Sequence, residues 1–437
     1  MLALIIKFWN YSFVFACMFF LVAYLPRVAC WFSAIRKQKR YISTKNNKLA
    51  LLVPARNESA VIGELFDSID EQTYPKEFFD VYVLIKDPND KTVKLAQKRK
   101  NTYIEVIPNQ TCKGDTLDFS MKKIIKKTPN KYDAFIIVDA DCVLEKDFLK
   151  EMNNAMASDK QIILSKKLVK NYLYNNKSAT SLASNCNGMI WTIIDDMGNR
   201  FKSDHNMTIM TIGTGLLIRA DVVRELGGWP YCQTLTEDIE LMYDCVLRDY
   251  TTLYYSYAKL YLEESTSLSV TNKRRTRWLT GVIDSKKLYS QRLRRKCKTK
   301  HQIINLYYTT ALIPVFFFIG FMLATFLISA PLSALLFLLG NPLYKATLML
   351  LFSSFATTYI SFWFLTLFCL IVDFKNHKMT IPERIAVLFV HPLFYMGYIK
   401  IGVDAYLSSA NREWEVIDRM EFNNTIEETE VKEGYQI

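Results

Sequence analysis

Apolar residues crowd into long runs near both ends of this 437-residue chain, while residues 46–300 mix apolar and polar positions as a folded domain does. Residues 8–32 form an apolar, aromatic run interrupted near its end by Pro26 and Arg27. The run is longer than a signal-peptide core and has no small-residue cleavage site, so it reads as a membrane anchor. Residues 306–328 and 346–372 read as two more spans, and the proline-bounded stretch 331–342 between them reads as a loop or half-buried piece. Residues 385–407 carry His391, Lys400 and Asp404, which are costly in lipid unless they face other helices or a wet cavity. That stretch fits either a span or a helix lying at the interface. After Asn411 the chain is polar and acidic, with Glu427, Glu428, Glu430 and Glu433, and is expected to be mobile. The pattern divides the chain into an anchor (1–35), a central domain ending in basic interfacial helices (36–300), a membrane region (301–410) and a tail (411–437).

Within the central domain, Lys48-Leu49-Ala50-Leu51-Leu52-Val53 is a short apolar run followed at once by Pro54-Ala55-Arg56-Asn57-Glu58. Val61, Ile62, Leu65, Phe66 and Ile69 then recur at helical spacing. Strand, tight loop and helix in that order open a nucleotide-binding α/β unit. A second strand at residues 79–85 ends at Lys86-Asp87-Pro88-Asn89-Asp90, and a third at residues 134–138 ends at Asp139-Ala140-Asp141. Ligands of open parallel sheets sit at the carboxyl ends of strands, where these polar clusters are expected to converge.

The formal net charge of +12 sharpens the membrane reading. Its densest run, residues 273–300, holds twelve Lys or Arg against the single acid Asp284, and a smaller cluster, Arg36, Lys37, Lys39 and Arg40, follows the first apolar run. Both clusters border apolar stretches, so the positive-inside bias and anionic headgroups account for them better than nucleic acid does. With the cluster at Arg36–Arg40 inside, the amino terminus lies outside and the central domain in the cytosol. Nine cysteines and four histidines form no CxxC pair and no HExxH motif, which argues against a disulfide framework or a zinc site.

Asp139 and Asp141 are the sharpest candidates for chemistry. Two carboxylates two residues apart after a buried strand leave on the same side of extended backbone. Mg2+ or Mn2+ prefers oxygen ligands and commonly bridges one or two carboxylates to phosphate oxygens; the plain alternative is an aspartate-rich surface turn. Thr236-Glu237-Asp238 starts a helical pattern, and the plain account there is capping, with Thr236 as N-cap and acids complementing the dipole. Gly213-Thr214-Gly215 and Gly227-Gly228 permit close backbone approach to a ligand. In Arg274-Arg275-Thr276-Arg277-Trp278, arginine suits a diphosphate and tryptophan a sugar face; a basic juxtamembrane helix with an interfacial tryptophan is the alternative.

Taken in order, PARNE, an aspartate after the second strand, DAD, TED and RRTRW resemble glycosyltransferase family 2, in its membrane-bound branch of cellulose, hyaluronan and poly-N-acetylglucosamine synthases. The resemblance covers residues 49–278 and the flanking apolar segments. It implies a GT-A fold: α/β, with a mixed, mostly parallel sheet flanked by helices, inserted between transmembrane helices. It further implies that Pro54, Ala55, Arg56, Glu58, Asp87 and Lys113 (of the Lys113-Gly114 pair) hold the nucleotide. By the same resemblance Asp139 binds the nucleotide-sugar and joins Asp141 at the metal, Asp238 of the TED motif, beside Glu237, is the catalytic base, Arg274 and Arg277 contact the diphosphate, and Trp278 with Thr236 contacts the acceptor. Two departures stand out: Arg274 replaces the usual glutamine, and the turn at Asp87 is compressed. Glu413-Trp414-Glu415 resembles a cytosolic motif that follows the membrane region in some relatives, which favours an interfacial final helix.

The implied activity is inverting transfer from a UDP-linked sugar, with Mg2+ or Mn2+, to a growing polysaccharide at the cytosolic face of the cell membrane, coupled to export through the adjoining helices. The implied partners are the nucleotide-sugar donor, a glycan or lipid-linked acceptor and the bilayer; no nucleic acid is implied, and an accessory subunit is compatible with the pattern. Two alternatives stay open: a non-processive enzyme acting on a lipid acceptor, and an inactive membrane scaffold, against which the intact Asp139, Asp141 and Asp238 argue.

Overall fold

The computed structural model describes residues 1–174, 180–309 and 312–407. Eight strands form one sheet: β1 (Leu49–Pro54), β2 (Phe79–Ile85), β3 (Thr102–Val106), β4 (Ala134–Ile137), β5 (Val143–Leu144), β6 (Ile162–Val169), β7 (Leu216–Arg219) and β8 (Thr252–Leu262), in the order β3-β2-β1-β4-β7-β6-β8-β5. Every residue of β1 and β2 is buried, the signature of strands covered on both faces. Side chains alternate across the sheet, so Leu49, Leu51 and Val53 enter one core layer while Ala50 and Leu52 enter the other. The sheet is mixed: β1 runs parallel to β2 and β4, β6 runs parallel to β8, and β7 runs antiparallel to both β4 and β6. This is the GT-A-type fold, a mixed sheet with flanking helices.

Chain direction makes a crevice at one edge of β1 and β4. From β1 the chain moves outward to β2 and β3, then returns to place β4 on the other side of β1. Strand order therefore reverses between β1 and β4, whose carboxyl ends open the crevice where α/β sheets bind ligands.

The helices are α1 (Leu2–Trp31), α2 (Ile62–Asp70), α3 (Lys91–Ala96), α4 (Lys113–Lys127), α5 (Phe148–Ala155), α6 (Leu182–Trp191), α7 (Arg200–Asp204), α8 (Ala220–Leu226), α9 (Glu237–Arg248), α10 (Leu268–Lys296), α11 (Lys300–Thr309), α12 (Leu312–Leu338), α13 (Tyr344–Val372) and α14 (Ile381–Leu407). A π-helical segment, Thr192–Asn199, joins α6 to α7.

Among the described residues four helical stretches are long and apolar enough to cross a membrane: Leu2–Ile35, Phe318–Leu338, Tyr344–Val372 and Ile381–Leu407. One expectation changes here. The stretch 331–342 reads in sequence as a loop or half-buried piece, but α12 runs through Pro331 to Leu338 and the break comes only at Gly340, whose φ is 65°. Pro331 lacks one donor, yet an apolar helix tolerates that loss when local adjustment satisfies the freed carbonyl. Residues 310 and 311, within the span expected at 306–328, lie outside the described residues, and the described apolar helix of that region runs from Leu312 to Leu338. On α14, His391 is fully buried and meets Thr366 of α13 at 2.7 Å, whereas Lys400 and Asp404 are exposed. The Glu413-Trp414-Glu415 motif and the acidic tail lie outside the described residues.

Candidate active site

The loop after β1 is held by backbone before any ligand is considered. Ala55 N–H still donates to Leu84 of β2, and the Glu58 carbonyl receives the Val61 and Ile62 N–H groups at the start of α2. Pro54 and Ala55 are buried, with Arg56 and Glu58 partly open. Asn57 between them takes φ of 59°, a left-handed conformation that asparagine tolerates, and its N–H donates to Asp90 Oδ2 at 2.8 Å. The other oxygen of Asp90 caps α3 through Thr92 N–H at 2.9 Å. Asp90 thus ties the loops after β1 and β2 together. Asp87, the residue singled out from sequence, is exposed and accepts from Asn89 N–H within its own turn.

Lys113 is the centre of the site. It opens α4, and its half-buried ammonium donates to Asp139 Oδ1 at 2.5 Å and to the Gly213 carbonyl at 2.7 Å, and lies 3.6 Å from Glu237 Oε1. Burial works against its charge, but Asp139 and Glu237 outweigh burial and raise its pKa above the ordinary lysine value. One side chain therefore joins the end of β4, the lead into β7 and the start of α9. The glycines are there for space. A Cβ on Gly213 would stand 3.0 Å from both Glu237 Oε1 and Lys113 Nζ, and one on Gly114 would stand 2.1 Å from the Tyr231 carbonyl.

Asp238 is fixed from both sides, by Gly213 N–H on Oδ2 and by Ile239 N–H on Oδ1, each at 2.8 Å. Burial first, then the neighbouring Glu237 carboxylate, push its pKa up to about 7 against the pull of Lys113. The capping reading of Thr236 is corrected. Thr236 sits at the N-cap position, but its side chain makes no capping bond to the helix; the hydroxyl meets Ser285 Oγ of α10 at 3.2 Å. Burial and a different hydroxyl partner took it away from the helix end. Ser285 also bonds Thr234 at 2.8 Å, and a Cβ on Gly281 would collide with Thr236, so α10 lies directly on the turn that presents Glu237 and Asp238.

Asp139 N–H donates to Thr214 Oγ1 at 3.0 Å, while its carboxylate remains partly open beside Lys113. Asp141 is buried, with its carbonyl facing Lys170 Nζ at 3.4 Å. Among the described residues no three His, Cys, Asp or Glu side chains cluster tightly enough to hold an ion alone. Two carboxylates fit Mg2+ or Mn2+ when phosphate oxygens and water supply the remaining ligands.

Arg274 and Trp278 lie on α10, and Arg277 between them. Arg274 donates to the Glu263 carbonyl at 3.0 Å. The guanidinium carbons of Arg274 and Arg275 stand 4.8 and 4.6 Å from the centre of the Trp278 ring, with Trp191 against it edge-on at 6.1 Å. Trp278 is therefore half-buried against its own arginines and packs on the core, not free at a membrane surface. Glu264 anchors this group, accepting from Trp191 Nε1 at 2.7 Å and lying 3.8 Å from Arg275.

The sequence reading missed Gly281, Ser285 and Glu264, and it named Asp90 only as part of the cluster after the second strand. Gly281 and Ser285 had a signal: two small residues four apart on a polar helix mark close approach of another segment. Glu264 had none, because it acts on partners distant in sequence.

The family model for "Glycosyltransferase like family 2" matches residues 46–281. A curated relative, the probable glycosyltransferase YdaM of Bacillus subtilis (strain 168), is 25% identical over 253 residues, covering 54% of this chain and 55% of the relative. The match thus spans about half the length of that relative. Among solved structures, the mannosyltransferase PcManGT from Pyrobaculum calidifontis, in complex with GDP-Man and Mn2+, aligns over 90% of this chain and 97% of its own with a TM-score of 0.50 and 12% identity. S. aureus TarS 1-349 in complex with UDP-GlcNAc aligns over 55% of this chain and 66% of its own, at 15% identity and a TM-score of 0.37.

Proposed function

The chain belongs to glycosyltransferase like family 2, and from that premise we propose that it is a membrane-bound, inverting enzyme moving a sugar from a nucleotide-sugar to a growing polysaccharide. The observation that carries the reading is the Lys113 hub: one half-buried ammonium binds Asp139 and approaches Glu237, leaving Asp238 as a further carboxylate at the same crevice. Asp238 takes the proton of the acceptor hydroxyl as that oxygen attacks the anomeric carbon opposite the nucleotide. A base with a pKa near the working pH suits that step, and the Gly213 and Ile239 N–H groups hold its oxygens in place. Pro54, Ala55, Arg56, Glu58 and Asp87 bind the nucleotide, with Asp90 fixing the two loops that carry them. Arg274 and Arg277 face the departing diphosphate, and Trp278 and Thr236 orient the acceptor.

Asp139 and Asp141 would hold Mg2+ or Mn2+, which supplies charge stabilisation of the leaving diphosphate. The Pyrobaculum neighbour, described with GDP-Man and Mn2+, supports a nucleotide-sugar and a divalent cation here. Uridine as the base comes from the synthase resemblance. The four apolar helices support a multi-pass protein of the cell membrane, and the basic clusters at their borders support a cytosolic catalytic domain.

A second reading, transfer of a single sugar to a lipid-linked acceptor, is favoured by α14. His391 is closed onto Thr366 while Lys400 and Asp404 point outward, so the three polar groups do not line one path for a polymer. The test of both is incorporation by membranes given a panel of radiolabelled UDP- and GDP-sugars with Mn2+ or Mg2+, beside an Asp238→Asn control. Metal-dependent incorporation from one donor, lost in the control, is the expected result. A ladder of long glycans identifies the synthase and a single addition the lipid-acceptor enzyme; incorporation retained in the control removes Asp238 from the role of base.

A further inference from the structure

Directly after β6 the chain makes one 3-10 turn, Lys170–Leu173, and its first two side chains leave water almost completely. Lys170 is 1% exposed and Asn171 is fully buried. Lysine and asparagine are buried to that degree only where partners satisfy their polar atoms, so the partners tell what the turn holds.

Lys170 faces the metal side of the crevice. Its ammonium lies 2.5 Å from Glu64 Oε2 on α2 and 3.4 Å from the Asp141 carbonyl. Tyr174 gives its hydroxyl to the same carboxylate, 3.0 Å from Glu64 Oε1 and 2.8 Å from Oε2. Helix α2 grows directly out of the loop after β1, with its first N–H groups on the Glu58 carbonyl. One ammonium therefore connects the helix behind the nucleotide loop with the backbone of Asp141.

Asn171 reaches the other way. Its Nδ2 donates to the Glu264 carbonyl and its Oδ1 accepts the Glu264 N–H, each at 2.8 Å. That doubled bond fixes the residue whose carboxylate holds Trp191 and stands beside Arg275, the two side chains packed against Trp278. Adjacent residues of one turn thus touch the Asp141 segment and the base of the Trp278 group.

We propose that Lys170 and Asn171 are the positioning residues of the site: through Lys170 the turn sets Asp141 for a divalent cation, and through Asn171 it keeps that carboxylate in register with the Trp278 group. Neither side chain touches a reacting atom; they act through Asp141 and Glu264. The proposal rests on the reading of Asp139 and Asp141 as metal ligands. Removing a group that orients a metal ligand typically weakens metal binding about 10- to 100-fold.

The test is Mn2+ binding by the full-length protein in detergent with saturating UDP or GDP, followed through the electron paramagnetic resonance signal of free Mn2+. It needs no sugar transfer. The parent protein is expected to bind Mn2+ and Asp141→Asn to lose it. Lys170→Met alone would leave Glu64 as an extra negative charge that attracts any cation, so the pair is removed together, Lys170→Met with Glu64→Gln. Net charge is then unchanged, Tyr174 keeps an acceptor, and the Mn2+ midpoint should rise about tenfold. Asn171→Leu, close in size and remote from the metal ligands, should raise it about threefold through the lost hydrogen bonds. A midpoint unmoved in the paired variant or in Asn171→Leu, even with a lowered unfolding temperature, makes the turn a structural element alone and overturns the proposal. Parent protein that binds no Mn2+ with either nucleotide, or Asp141→Asn that binds it as well, overturns the underlying metal assignment instead, and is told apart because the turn is intact in both. Should the paired variant not fold, Tyr174→Phe carries the same titration, with a rise of about threefold.

Discussion

Two lysines, the half-buried Lys113 and the buried Lys166, hold the polar interior of this molecule together, and each lies between two carboxylates. Lys166 of β6 contacts Asp196 of the π-helical segment at 2.6 Å and Asp373, just past α13, at 2.7 Å. Those carboxylates are satisfied by neutral donors: Tyr254 gives its O–H to Asp196, and Thr192 and Asn376 donate to Asp373. The cluster is closed, and it joins the sheet to the end of an apolar helix. Lys113 is bonded as tightly, but a further carboxylate, Asp238, faces the same crevice and is held only by backbone N–H groups and its neighbour's field. A closed set of charges gives rigidity and register. An open set with surplus negative charge at a strand-order reversal suits the proposed meeting of a cation and a substrate hydroxyl.

Substitutions can break this comparison, and the largest effect is expected at the open site. Asp238→Asn should reduce transfer about 10²- to 10⁴-fold, the range of general-base contributions, while donor binding measured by titration stays near the parent value. Lys166→Met should act on stability, lowering it by about 3–5 kcal/mol because two buried carboxylates lose their cation, with activity per folded molecule unchanged. Thermal unfolding beside specific activity separates these outcomes, and a larger loss of activity than of folded protein would erase the distinction between the hubs. Ser285→Ala should have the smallest effect, about 1 kcal/mol from the bonds to Thr234 and Thr236. If α10 orients the Glu237–Asp238 turn, that variant lowers kcat more than it raises KM.

Much of the open site was legible in the sequence because its parts are local. Apolar runs ending in PARNE and DAD located β1 and β4, and Thr236-Glu237-Asp238 marked the start of α9. The closed site was not legible: Lys166 and Asp373 are 207 residues apart, and neither sits in a motif. The same reason hid Glu264. Pro331 misled in the opposite direction, since a strong local breaker was overridden by an apolar helix that continues to Leu338. Thr236 looked like a cap from its position, and only the docking of α10 reveals its actual partner, Ser285.

The measurement that bears most directly on the account is the pH dependence of transfer at saturating donor for the parent protein and for Lys113→Met. The base must be deprotonated to work, so the parent rate should climb as pH rises through about 7 and level off above it. Lys113 lowers the pKa of Asp238, so its removal should raise that pKa and move the climbing limb to higher pH, in addition to lowering the plateau. A limb that stays in place while the plateau falls, or a rate flat with pH across that range, would contradict Asp238 as the base governed by the Lys113 hub.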